Sequence, residues 1–79
     1  MNTDLAFSRA LLTQAHTAVK EAYPAINLRE DAWVWKAGRD HWEFHGPQDY
    51  YWHGRASNAF EARYAGWMAW LKSKGVGDA

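Results

Sequence analysis

The sequence predicts a single α+β domain in which a helix, a three-stranded antiparallel meander and a second helix follow one another (αβββα), with both helices on one face of the sheet. Three observations carry that prediction. Apolar residues recur at helical spacing at both ends of the chain. Between Trp33 and Trp52, four tryptophans, a phenylalanine and two tyrosines fall into three short runs separated by turn residues. Finally, 79 residues suffice for one hydrophobic core but not for two, so residues 1–79 form one domain, with an ordered core expected over about 3–75.

The first helix carries an apolar stripe through Leu5, Leu12, Ala15, Val19 and Ala22, widened by Leu11 and Ala18. Asn2 or Thr3 suits its cap, and Asp4 suits the positive end of its dipole. Pro24 drives the preceding residue out of the helical region, so the helix should end near Ala22 or Tyr23. Pro24 to Asp31 then reads as a connector, pinned to the core by Ile26 and Leu28.

Ala32-Trp33-Val34-Trp35-Lys36 is rich in strand formers, and Ala37-Gly38-Arg39-Asp40 supplies turn residues before His41-Trp42-Glu43-Phe44-His45. A two-residue turn at Gly38-Arg39 would set Trp35 opposite Trp42 and Trp33 opposite Phe44. One face would then carry Trp33, Trp35, Trp42 and Phe44, and the other Ala32, Val34, Lys36, His41, Glu43 and His45. Gly46-Pro47-Gln48-Asp49 is a second turn leading into Tyr50-Tyr51-Trp52-His53-Gly54-Arg55. An odd loop length puts Tyr50 and Trp52 with the buried aromatics and Tyr51, His53 and Arg55 on the polar face; an even one reverses this, and the sequence leaves the choice open.

Ser57 or Asn58 caps the last helix, and Glu61 is placed to return a bond to the cap backbone. Phe60, Tyr64, Trp67 and Leu71 recur at helical spacing among Ala59, Ala62, Ala65, Met68 and Ala69, which lays an amphipathic helix on the sheet. Gly66 inside it fits a close approach by a sheet tryptophan, Gly75 stops the helix, and a loose tail is expected from Val76 to Ala79.

Composition narrows the function. Six Trp, four Tyr and three Phe make up 16% of the chain, and aromatics of this size build a core without disulfide or metal. Nine basic and nine acidic side chains cancel, which argues against indiscriminate polyanion binding and leaves local patches as the electrostatic handle. The N-terminus has no basic leader followed by an apolar stretch, and no segment is long and apolar enough for a membrane helix. On those grounds the expected compartment is the cytoplasm, with no membrane contact, and the lack of cysteine fits it.

Catalysis and metal binding find little support. His41 and His45 stand about 13 Å apart on one strand at ~3.3 Å per residue, too far to share an ion, and a pair such as Glu43 with His53 supplies only two ligands. His16 reads as a boundary residue of the first helix. A Glu43–histidine or Asp40–His41 acid/base pair would need a water-excluding pocket, which a small sheet covered on one side does not offer. There is no serine nucleophile in an elbow, no Gly-rich phosphate loop and no thiol. The reading is therefore not an enzyme, with no cofactor and no metal.

The open sheet face is the candidate site. It would gather Lys36, His41, His45, Tyr51, His53 and Arg55, with Arg39 as a cation at the turn tip, Arg63 as a helix cation, and Glu43 in the centre opposing phosphate. Most tryptophans read as core. Trp70, beside the Trp67 and Leu71 stripe, and one of Trp33 or Trp35 are expected to be partly exposed, Trp70 as an interface anchor.

The order helix, three strands, helix resembles the double-stranded-RNA-binding domain. The part from Trp33 to Leu71, with Trp52-His53-Gly54-Arg55-Ala56-Ser57-Asn58-Ala59-Phe60-Glu61-Ala62 as last strand and alanine-rich helix, is similar in plan to the DNA-gripping domains of tyrosine integrases and plant ethylene-response factors. The lysine pair that the RNA-binding family carries at the start of its last helix is replaced by Ser57, Asn58 and Ala59. The resemblance is one of element order, and it implies nucleic-acid binding. The expected function is thus a small non-enzymatic binding module, of the kind found as an accessory protein in bacteria or phages. Its open sheet face would contact nucleic acid; the alternative is a protein partner, or a weak homodimer through an exposed Trp or an edge strand.

Overall fold

In the computed structural model, which describes residues 2–76, the chain forms α1 (Asn2–Ala22), β1 (Trp33–Gly38), β2 (His41–His45), β3 (Tyr51–Arg55) and α2 (Ala59–Ser73), with a 3-10 turn over Pro47–Asp49. The strands form one antiparallel sheet in the order β1-β2-β3, and both helices lie on one side of it, so the expected αβββα architecture is the one observed. α2 rests on all three strands, and α1 packs chiefly along α2. No helix among the described residues is long and apolar enough to cross a membrane.

Local chemistry explains the helix ends. α1 stops at Ala22, two residues before Pro24, and Lys20 Nζ then donates to the carbonyls of Pro24 at 2.8 Å and Ile26 at 2.9 Å, tying the connector to the helix. Asn27 and Asp31 close the connector into a hydrogen-bonded turn, and Ile26 and Leu28 pack against the core as expected. A cap at Asn2 or Thr3 falls outside the side chains described. At α2, Asn58 Oδ1 accepts from the Glu61 amide at 2.9 Å, while Glu61 Oε1 accepts from the Ser57 amide at 2.8 Å, one residue earlier than the usual reciprocal bond. The Asn58 side chain also donates from Nδ2 to Ser8 Oγ of α1 at 3.1 Å. Gly75, at φ 79°, ends α2: its amide donates to the Lys72 carbonyl and the Val76 amide to that of Leu71, the paired bonds of a Schellman turn. Val76 packs against the core, which corrects the loose tail expected from that residue; residues 77–79 lie outside those described.

The register of the first hairpin differs from expectation by one residue. Trp33 pairs with His45, Val34 with Phe44, Trp35 with Glu43 and Lys36 with Trp42. The turn tip is Arg39-Asp40, not Gly38-Arg39, and Ala37 is left as an extra residue between the Lys36 and Gly38 pairs. Asp40 takes up the left-handed backbone at φ 61°, which Asp tolerates well, and its carbonyl accepts from the Ala56 amide at 3.0 Å. A one-residue slip exchanges the faces of a strand. Val34 and Lys36 therefore point to the helix side, and Trp33 and Trp35 point away from it. The second loop runs from Gly46 to Tyr50, and its odd length places Trp52 opposite Phe44 and Tyr51 opposite His45.

The core shows why β1 turns its tryptophans out. Phe44, Trp67 and Trp70 are 0–1% exposed, and Trp67 stands edge-on to both Phe44, at 5.3 Å, and Trp70, at 5.6 Å. Trp70, expected as an exposed anchor, is instead buried against Tyr23, their rings 5.0 Å apart. α2 is covered by the sheet on one side and by α1 on the other, so more of its circumference is apolar than a surface helix needs. With two tryptophans from α2 filling the layer, the core takes only Val34 from β1 and Ala32 from just before it. Gly66 permits the closest contact: a Cβ there would lie 2.6 Å from Phe44 Cβ and run into its ring. The sheet residue that needs this glycine is Phe44, where a tryptophan was expected.

Candidate binding face

On the uncovered side of the sheet, cross-strand pairing builds three rows. Trp33, His45 and Tyr51 form the first, Trp35, Glu43 and His53 the second, and His41 with Arg55 the third. Trp33, Trp35 and Tyr51 are 52%, 51% and 46% exposed, a density of bare aromatic surface unusual in so small a domain.

The rings are ordered against one another. Trp33 stacks on His45 at 4.1 Å with only 7° between the planes. His45 lies 5.2 Å from Tyr51, Tyr51 5.7 Å from His53, and His53 5.2 Å from His41. A continuous aromatic path thus crosses the face from β1 to β3 and back along it. Because β1 is an edge strand, no strand among the described residues lies beside the Trp33 ring face turned away from His45.

Glu43 organises the centre. Its carboxylate accepts the Trp35 indole N–H at 2.5 Å, and His45 Nε2 lies 3.7 Å from the same oxygen. The hydrogen bond from Trp35, followed by the influence of the Tyr51 hydroxyl and of His45, holds the Glu43 carboxyl below the usual carboxylate range. The Glu43 carboxylate, with some loss of solvent, in turn pushes the Tyr51 phenol above its ordinary value. The acid therefore remains ionised at neutral pH with its charge turned into the aromatic surface around it.

Of the predicted site residues, His41, His45, Tyr51, His53 and Arg55 come together on this face, and Arg39 stands exposed at the hairpin tip beyond the third row. Lys36 does not join them. It pairs with Trp42, whose side chain is on the helix side and donates to the Ala56 carbonyl at 3.1 Å, because the slip of β1 carried Lys36 across with Val34. Trp70 is core. Arg63 lies on α2 near His16, whose imidazole is pushed below its usual value by burial and then by that guanidinium. Trp33 and Trp35 take the vacated places, and their excess over what the core can hold was the one sign of it in the sequence. Among the described residues no three His, Asp or Glu side chains converge into a metal-sized group.

Comparison with known proteins adds no relative: no family model, no curated protein and no solved structure matches the chain.

Proposed function

We propose that this protein is a small non-enzymatic binding module whose open sheet face takes nucleic acid, acting in the cytoplasm as an accessory protein of a bacterium or phage. One observation carries the reading: Trp33, Trp35 and Tyr51 stand exposed on the same uncovered face as His41, His45, His53 and Arg55. Aromatic rings offer stacking partners to bases, and a guanidinium offers a phosphate contact, so the two parts of a nucleotide find complementary groups side by side. The face is open to solvent, which suits a polymer lying across it. The lack of cysteine fits a reducing compartment.

A two-dimensional NMR titration with duplex DNA, duplex RNA and single strands tests this directly. Shifts confined to the three rows and to Arg39, fading as salt rises, are expected. A second reading rests on the position of β1, an edge strand that carries Trp33 and Trp35 and could pair with another chain. Silence toward every oligonucleotide, joined to a sedimenting mass that rises with concentration, would favour that edge over the face.

A further inference from the structure

Resting on the nucleic-acid reading, we infer that the ligand of this face is a single strand, held mainly by stacked bases on Trp33, Trp35 and Tyr51, and not a duplex held by its phosphates. The displacement of β1 decides the matter by what it adds and removes. It adds two half-exposed indoles and takes away Lys36, the only lysine that the expected register had placed on this side. What remains for phosphates is Arg55 and the turn-tip Arg39, both at one end of the face, while the middle is held by the Glu43 carboxylate.

A duplex needs the reverse arrangement. Its bases are stacked inside, its faces are closed to a protein ring, and it is gripped through several phosphates along both strands. A carboxylate in the middle of the contact would oppose the nearest of them. A single strand has free base faces and a backbone that can leave toward one end, and it meets no such conflict. The outer face of Trp33 would continue the Tyr51–His45–Trp33 series by one more ring, and Trp35 is kept in place beside it by its bond to Glu43. Successive exposed positions along β1 are about 6.6 Å apart at ~3.3 Å per residue, so the platform seats a short run of bases, about one for each exposed ring. With the two arginines as phosphate contacts, the logarithmic salt dependence has a slope of about −1.4, from about −0.7 per neutralised phosphate on a single strand.

The test is a tryptophan-fluorescence titration of the full chain with oligothymidylate, oligocytidylate and a hairpin duplex of equal nucleotide count over a range of salt. Single strands should quench the fluorescence with the shallow slope above, and the duplex should bind at least ten-fold more weakly. Trp33→Ala and Trp35→Ala should each lower single-strand affinity about ten-fold or more with the helical circular dichroism unchanged. Duplex binding as tight as single-strand binding, with a steep salt slope, would overturn the inference while leaving the nucleic-acid reading in place. Folded Trp33→Ala and Trp35→Ala proteins with undiminished affinity would also overturn it. Failure of every oligonucleotide to bind would overturn the nucleic-acid reading itself.

Discussion

The two faces of the sheet are made from the same three strands and are both rich in aromatic residues, yet they use them in opposite ways. On the covered face, Phe44 is closed in by Gly66 and Trp67, Trp52 and Val34 pack at its flanks, and Phe44, Trp67 and Trp70 have lost nearly all their water, with half-buried rings around them. On the open face, Trp33, Trp35 and Tyr51 keep about half their surface in solvent, with Trp35 held by its hydrogen bond to Glu43 and Trp33 by its stack on His45. Residue type does not separate the two sets. What separates them is volume: once α2 has placed Trp67 and Trp70 under the sheet, the layer closes over small residues of β1, and its large ones turn outward.

The sharpest way to break this comparison is to truncate one tryptophan from each side. Trp67→Ala should cost about 3–5 kcal/mol in urea unfolding, a large share of the stability of so small a domain. Trp33→Ala should stay within about 0.5 kcal/mol of the parent, as exposed positions usually do. Equal losses would mean that Trp33 belongs to the core. The same measurement on Trp70→Ala should follow Trp67, since Trp70 is buried and not an anchor.

A smaller but more local effect is expected at Gly66. Adding one methyl there gains about 1 kcal/mol of helix propensity but forces α2 off Phe44, at an overpacking cost of about 1–3 kcal/mol. Gly66→Ala should therefore lower the urea midpoint, and Gly66→Val should lower it further. A Gly66→Ala protein more stable than its parent would show that α2 does not sit as close to β2 as described.

The smallest effect is one of pH. Burial and Arg63 lower the pKa of His16 in the folded state, so the unfolded chain binds the proton more readily. The contribution is complete above the ordinary imidazole value near 6.5. It is lost as pH falls from there toward the lowered folded value, below which it is constant. Unfolding midpoints measured from pH 8 to pH 5 should decline more for the parent than for His16→Gln. Parallel curves would mean that His16 titrates alike in both states. His16 meets Trp67 edge-on at 6.5 Å, so this effect reports on the covered side alone.

Much of the fold was legible because it depends on local chemistry. Pro24 stops α1 by sterics between neighbours, Asn58 and Glu61 start α2 by bonds within four residues, and Gly75 ends it by a backbone angle that glycine adopts freely. Part of the polar half of the candidate face was legible too, since His41 and His45 follow the alternation of β2, whereas Tyr51, His53 and Arg55 joined them only through the odd length of the second loop, which the sequence left open. Its aromatic half was not. A turn at Gly38-Arg39 and a turn at Arg39-Asp40 are both compatible with the residues present, and the aromatic alternation of β1 can be read in either phase.

The sequence by itself determined the element order, the helix limits, the single domain and the presence of more tryptophan than one core can bury. Only the tertiary structure decided which tryptophans those are, because hairpin register is chosen by the fit between whole layers. The width left between α2 and β1, the ring of Phe44 in the notch at Gly66 and the bond from Ala56 to Asp40 act together, and each comes from a part of the chain remote from the turn it fixes.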